Sequence, residues 1–216
     1  MNLKMDINAK DALFFRKKAL DLEKEARYHE AIALFDRAIE INPNDTKAWH
    51  GKGDALLNIG QFDEALVCFE KALEINPNNA DAWLSRGKAL AEQGKHQKAK
   101  YCFDNALTVN PNNAVAWHSK GFSLDAQDEH AEALACFEKA IIIQPEYLLA
   151  WYNKGVVLRK MRRYEPAIEC FDNALRIDPR FSEALHNKGY VLEAMGRHGE
   201  AKACYTILQM QNENGE

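Results

Sequence analysis

Three series of chemically capable side chains recur at a fixed interval in this 216-residue chain. Cys68, Cys102, Cys136, Cys170 and Cys204 stand 34 residues apart, which invites a metal or redox reading. A thiolate zinc site needs sulfurs converging at about 2.3 Å on one ion, and a disulfide needs Cα atoms within about 7 Å. The chain has no Cys-x2-Cys pair, and packed helices stand roughly 8–10 Å apart. The thiols therefore read as small buried packing groups in a reducing compartment. His50, His118 and His186 occupy one slot, His96, His130 and His198 another, and His29 stands alone; none of these sets converges on an ion. The third series, Lys18, Lys52, Arg86, Lys120, Lys154 and Lys188, has the form of a phosphate track. An equally regular acidic series, Asp36, Glu70, Asp104, Glu138 and Asp172, offers each base a counter-charge. Paired or solvated charge on alkyl stems explains both.

The charge balance and the motif content point the same way. Lys plus Arg number 28 against 32 Asp plus Glu, a formal net charge of -4, which does not favour a nucleic-acid surface. The chain carries no Gly-x-Ser-x-Gly, no phosphate-cradling loop and no paired carboxylates in a cleft-forming context. No stretch approaches about 18 uninterrupted apolar residues, and Met1 to Lys10 lacks the apolar run of a secretory signal. The expectation is a cytoplasmic, non-enzymatic protein with no cofactor, no bound metal, no nucleic-acid partner and no membrane contact.

The interval itself specifies the elements that hold these residues. Pro43, Pro77, Pro111, Pro145 and Pro179 keep the same 34-residue step, as do Trp49, Trp83, Trp117 and Trp151, with Phe15 and Leu185 in the flanking slots. Gly53, Gly87, Gly121, Gly155 and Gly189 follow, and Leu22, Leu56, Leu90, Leu124, Leu158 and Leu192 fill a third slot. Each second half carries Ala31, Ala65, Ala99, Ala133, Ala167 and Ala201, then Phe35, Phe69, Phe103, Phe137 and Phe171 with Tyr205, then Ala38, Ala72, Ala106, Ala140 and Ala174. Spacings of four and three put each set on one face of an amphipathic helix. Short turns such as Ile59-Gly60-Gln61 make the two helices antiparallel neighbours. Proline ends each copy, and Asp45, Asn79 and Asn113 are placed to cap the next helix. A glycine in an exposed helix costs roughly 0.5–1 kcal/mol relative to alanine, so five at one slot require close backbone approach. A lone hairpin cannot cover both faces, so the copies must stack.

This pattern resembles the tetratricopeptide repeat family from residue 12 to about 210. The departures are a base before the glycine, at Lys52, Arg86, Lys120, Lys154 and Lys188, where the family commonly has leucine, and leucine in the family's tyrosine slot. The resemblance implies an all-α fold, a right-handed α-solenoid, or superhelix, of six antiparallel helix-turn-helix repeats of 34 residues. The repeats span 12–45, 46–79, 80–113, 114–147, 148–181 and a shortened 182–210, all in one solenoid domain. Residues 1–11 form an N-terminal lead-in and 211–216 a polar tail. The sixth copy has Leu208 for alanine and no terminal proline, as in a fragment of a longer array or a final helix that caps itself.

The resemblance further implies that the first helices line a concave groove through slots two, five, six, nine, twelve and thirteen of each copy. The N-terminal half offers a mixed polar lining, with Arg16, Lys17, Lys47, His50, Asp54, Asp81 and Lys88. The C-terminal half offers His118, Phe122, Leu149, Tyr152, Val156, His186 and Tyr190, flanked by Ser119, Asn153, Asn187, Arg159 and Lys160. Apolar and aromatic groups at solvent-facing slots suit a binding surface, and the two asparagines suit an extended peptide backbone. The expected function is a protein-protein interaction adaptor or scaffold that holds a peptide segment or partner helix there. The alternative is a self-assembling module, a homo-oligomer formed through solenoid ends or groove. The two-carboxylate clamp by which some relatives grip acidic chaperone tails is not reproduced: its slots read Arg16, Leu20, Gly51, Asp81 and Ser85, or, one copy later, His50, Asp54, Ser85, Val115 and Ser119.

Overall fold

A computed structural model describes the backbone of residues 2–213 and the side chains of residues 10–211. Every regular element among them is a helix. The first helices of the hairpins are α1 (Asn2–Lys24), α3 (Thr46–Asn58), α5 (Ala80–Glu92), α7 (Ala114–Asp125), α9 (Leu148–Lys160) and α11 (Ser182–Ala194). The second helices are α2 (Tyr28–Ile41), α4 (Phe62–Ile75), α6 (His96–Val109), α8 (His130–Ile143), α10 (Tyr164–Ile177) and α12 (His198–Glu213). They gather into two compact units that divide between Pro111 and Asn112, three hairpins in each. Helix α1 begins well before the first repeat slot, and α12 runs on through residues that read as polar tail.

The repeated residues form these hairpins for identifiable reasons. Each hairpin turn closes with the same pair of bonds: the amide of Gln61 donates to Leu56 O at 2.9 Å and that of Gly60 to Leu57 O at 3.0 Å. This is a Schellman closure, which requires a left-handed residue at the corner. Gly60, Gly94 and Gly196 supply it in three hairpins, whereas Ala26, Asp128 and Arg162 are forced to φ of 56°, 61° and 58° in the others. At the next helix starts, Asp45 accepts from the amides of Lys47 and Ala48, Asn79 from Ala82 and Asn113 from Ala116. The tryptophans join the stop to the start, since the indole N–H of Trp49, Trp83 and Trp151 donates to the carbonyl of Pro43, Pro77 and Pro145 at 2.8, 2.9 and 2.8 Å.

The glycine and phenylalanine slots meet inside each hairpin. Phe35, Phe69, Phe103, Phe137 and Phe171 are fully buried. A methyl group on Gly53 would lie 2.5 Å from the Phe69 ring, and one on Gly155 2.7 Å from Phe171. The ring fills the volume a side chain would need, so the backbone approach is a packing requirement.

The cysteine and lysine series resolve into the same framework. All five cysteines are buried, and burial pushes the thiols of Cys68, Cys102 and Cys170 up to about 11. Among the described residues no group of three His, Cys, Asp or Glu side chains is placed to hold a metal. Lys52 bonds Asp36 at 2.6 Å, Lys154 bonds Glu138 at 3.3 Å, and Lys188 bonds Asp172. Among the described residues no helix is long and apolar enough to cross a membrane.

Candidate interaction surface

The eleven residues singled out from the sequence all lie on the first helices of the second unit. His118, Ser119 and Phe122 stand on α7; Leu149, Tyr152, Asn153, Val156 and Arg159 on α9; His186, Asn187 and Tyr190 on α11. Helix α9 packs against both α7 and α11, so the three helices present adjacent rows. None of the eleven is buried: Phe122, Leu149, His186 and Tyr190 are exposed and the rest intermediate. Phe122 and Tyr190 are each 51% exposed and Leu149 43%, values unlike those of the core aromatics.

Cross-repeat contacts fix this surface. Asn153 Nδ2 lies 2.8 Å from His118 Nε2, and Asn187 Nδ2 donates to Tyr152 Oη at 3.2 Å and to Glu183 O at 2.9 Å. Both bonds between copies join a residue to one 35 positions later, as does the 3.2 Å contact of His50 with Ser85 in the first unit. The asparagine donors thus make contacts inside the protein, and neither Oδ1 takes part in a described hydrogen bond. The His118 and Tyr152 rings also lean on Phe137 and Phe171, with centroids 5.6 and 6.1 Å apart. Burial raises the Tyr152 phenol; nearby Glu183 adds to the rise, while Arg159 and the Asn187 bond oppose it.

Two aromatic residues of this surface escape a reading by slots alone. Tyr147 and Phe181 occupy the positions that Asp45, Asn79 and Asn113 hold earlier, and neither makes a side-chain cap. They pack on the preceding copy instead. Tyr147 lies 5.0 Å from His118, and Phe181 lies edge-on 5.1 Å from Tyr152. In the first unit the same relation is ionic, with Arg16 bound to the buried Asp45 at 2.6 Å. The sequence signal is the switch from a capping oxygen to an aromatic ring at the 34-residue step.

The first unit differs in character at the equivalent slots. Burial is the main influence raising the carboxyls of Glu23, to about 7, and Asp54; Asp54 adds to the rise at Glu23 and Asp81 to that at Asp54, where His50, Ser85 and Lys88 oppose it. That face holds charge, where the second unit holds rings.

Family models of the tetratricopeptide repeat match residues 17–45, 34–67, 53–94, 80–113, 114–147, 149–181 and 170–203. The chain belongs to the tetratricopeptide repeat family. No curated protein matches it in sequence. Among solved structures, YrrB, described as a TPR protein with an unusual peptide-binding site, is 28% identical, with a TM-score of 0.68 over 87% of this chain and 96% of its own. MamA is 26% identical, with a TM-score of 0.71 over 76% of this chain and 95% of its own. PilW, a type IV pilus biogenesis factor, reaches a TM-score of 0.86 over 92% of each chain at 20% identity, a likeness of fold.

Proposed function

We propose that this tetratricopeptide repeat chain is a protein-interaction adaptor and not an enzyme, and that the first-helix face of the second unit is a groove that receives a peptide segment or partner helix. The observation that carries this reading is the exposure of Phe122, Leu149 and Tyr190 on three successive first helices, in contrast to the fully buried core aromatics. Large apolar groups left in the open along one face are costly to leave in water and are typical of binding anchors. Hydrogen bonds between copies hold the rows in place, so little ordering entropy is lost on binding. YrrB, a relative with a peptide-binding site, supports the mode of action.

The test is a comparative pull-down with the intact chain and a Phe122→Ala, Tyr190→Ala double variant. The variant is expected to keep its helical circular dichroism and to weaken partner binding by about tenfold or more, the loss of two anchors. Equal retention by both baits overturns the reading. Recovery of the chain alone, with mass rising with concentration, would establish self-assembly instead.

A further inference from the structure

Resting on the groove reading above, one residue bears on what the groove selects. Arg159 occupies a slot that holds Glu23, Leu57, Ala91, Asp125 and Glu193 in the other copies, so it is the slot's single cation. Its guanidinium carbon sits 5.2 Å from the centroid of the exposed Tyr190 ring. Its Nε is buried and has no hydrogen-bond partner among the described residues, which also offer Arg159 no ion pair. The carboxylates at the same slot in the flanking copies have other partners: Asp125 takes Lys160 at 2.7 Å, and Glu193 accepts from Tyr205 Oη at 3.4 Å. Glu183 acts on the Tyr152 phenol in the sense opposite to Arg159, yet forms no described ion pair with it. A guanidinium stacked on a ring keeps its planar fork for a carboxylate.

We propose that Arg159 is the anion anchor of this groove, and that the occupant is a peptide segment with an Asp or Glu side chain beside a bulky apolar residue. The carboxylate meets the guanidinium, and the apolar neighbour covers the open face of Tyr190, the ring on which Arg159 lies. Charge complementarity selects such a segment over a basic one, because a lysine or arginine brought to Arg159 would meet like charge at a guanidinium that no described carboxylate pairs. The arrangement is unlike the two-carboxylate clamp for acidic tails, so the acid belongs within the segment.

The experiment presents the full chain with a random library of end-blocked octapeptides, acetylated and amidated, and sequences what is retained by the wild type, by Arg159→Leu and by the Phe122→Ala, Tyr190→Ala variant. The wild type is expected to enrich Asp or Glu next to Phe, Leu, Tyr or Trp. Arg159→Leu should keep the apolar preference and lose the acidic one, with affinity for a wild-type-selected peptide reduced by about tenfold, as expected for a charge-assisted bond. Should Arg159→Leu lose its helical circular dichroism, Arg159→Gln gives the same reading. Enrichment of basic or uncharged segments, or acid enrichment that survives loss of Arg159, overturns the proposal and leaves the groove standing. A preference for unblocked C-termini assigns the carboxylate to the chain end and overturns the internal acid. Retention unchanged in the double variant, or none at all, removes the groove and this inference with it.

Discussion

Ser123 lies in a slot where the first unit has alanine, at Ala55 and Ala89, and it is fully buried with no partner for its hydroxyl. Burying an unbonded hydroxyl costs about 1–3 kcal/mol. Ser123→Ala should therefore stabilise the protein by about 1 kcal/mol, seen as a higher urea midpoint; an unchanged or lower midpoint would show that the hydroxyl is satisfied. Gly155 gives the opposite case. Alanine there adds helix propensity but drives a methyl group into Phe171. Overpacking typically costs 1–3 kcal/mol, so Gly155→Ala is expected to destabilise by about that amount. The Gly155→Ala, Phe171→Leu double variant should recover part of the loss. The glycine, phenylalanine and tryptophan slots were legible because each recurs and each has one packing reason. Tyr147 and Phe181 were not, because a capping slot is recognised by a side-chain oxygen and these positions have none.

At the level of helices and turns, the sequence shows where hairpins fold but not what each turn costs. Ala26, Asp128 and Arg162 take the left-handed corner that glycine takes elsewhere. A non-glycine residue there costs roughly 1–2 kcal/mol, partly offset by glycine's freedom when unfolded. Arg162→Gly should thus raise stability by about 0.5–1 kcal/mol and Gly60→Ala lower it by about 1 kcal/mol, both read from chemical denaturation. If the two substitutions shift the midpoint in the same direction, the corner argument fails. Helix ends resist prediction where repetition stops. Helix α1 reaches back to Asn2 and α12 forward to Glu213 because plain helical propensity suffices there, and no repeat slot marks the limits.

For the molecule as a whole, proton binding links one face to stability. Glu23 is held protonated up to about 7 in the fold, against an ordinary 4.5, and burial is the main cause. Between those values the folded chain holds a proton that the unfolded chain has released, so stability falls as pH rises through this window. Glu23→Gln should remove that contribution. The variant should match the wild type in urea midpoint near pH 4, below the unfolded value, and exceed it near pH 8; a difference independent of pH would refute the linkage. The sequence displayed Asp54 only as part of a polar lining, since burial that depends on stacking between copies has no signature in local spacing. The candidate groove was readable as a set of slots, whereas the links of Asn153 to His118 and Asn187 to Tyr152 emerged only once adjacent copies were placed together.

Those links also bear on how such a chain tolerates gain or loss of whole copies. Each bond joins a residue to one 35 positions on, the length of a copy plus one. Excising residues 148–181 would bring Asn187 into the position of Asn153, opposite His118, with Tyr147 still at the same helix start. The asparagine link to His118 would be kept, while Leu185 would replace Trp151 and forfeit its indole bond to Pro145 O, so unequal recombination here preserves the link between copies at the cost of one stop-to-start bond.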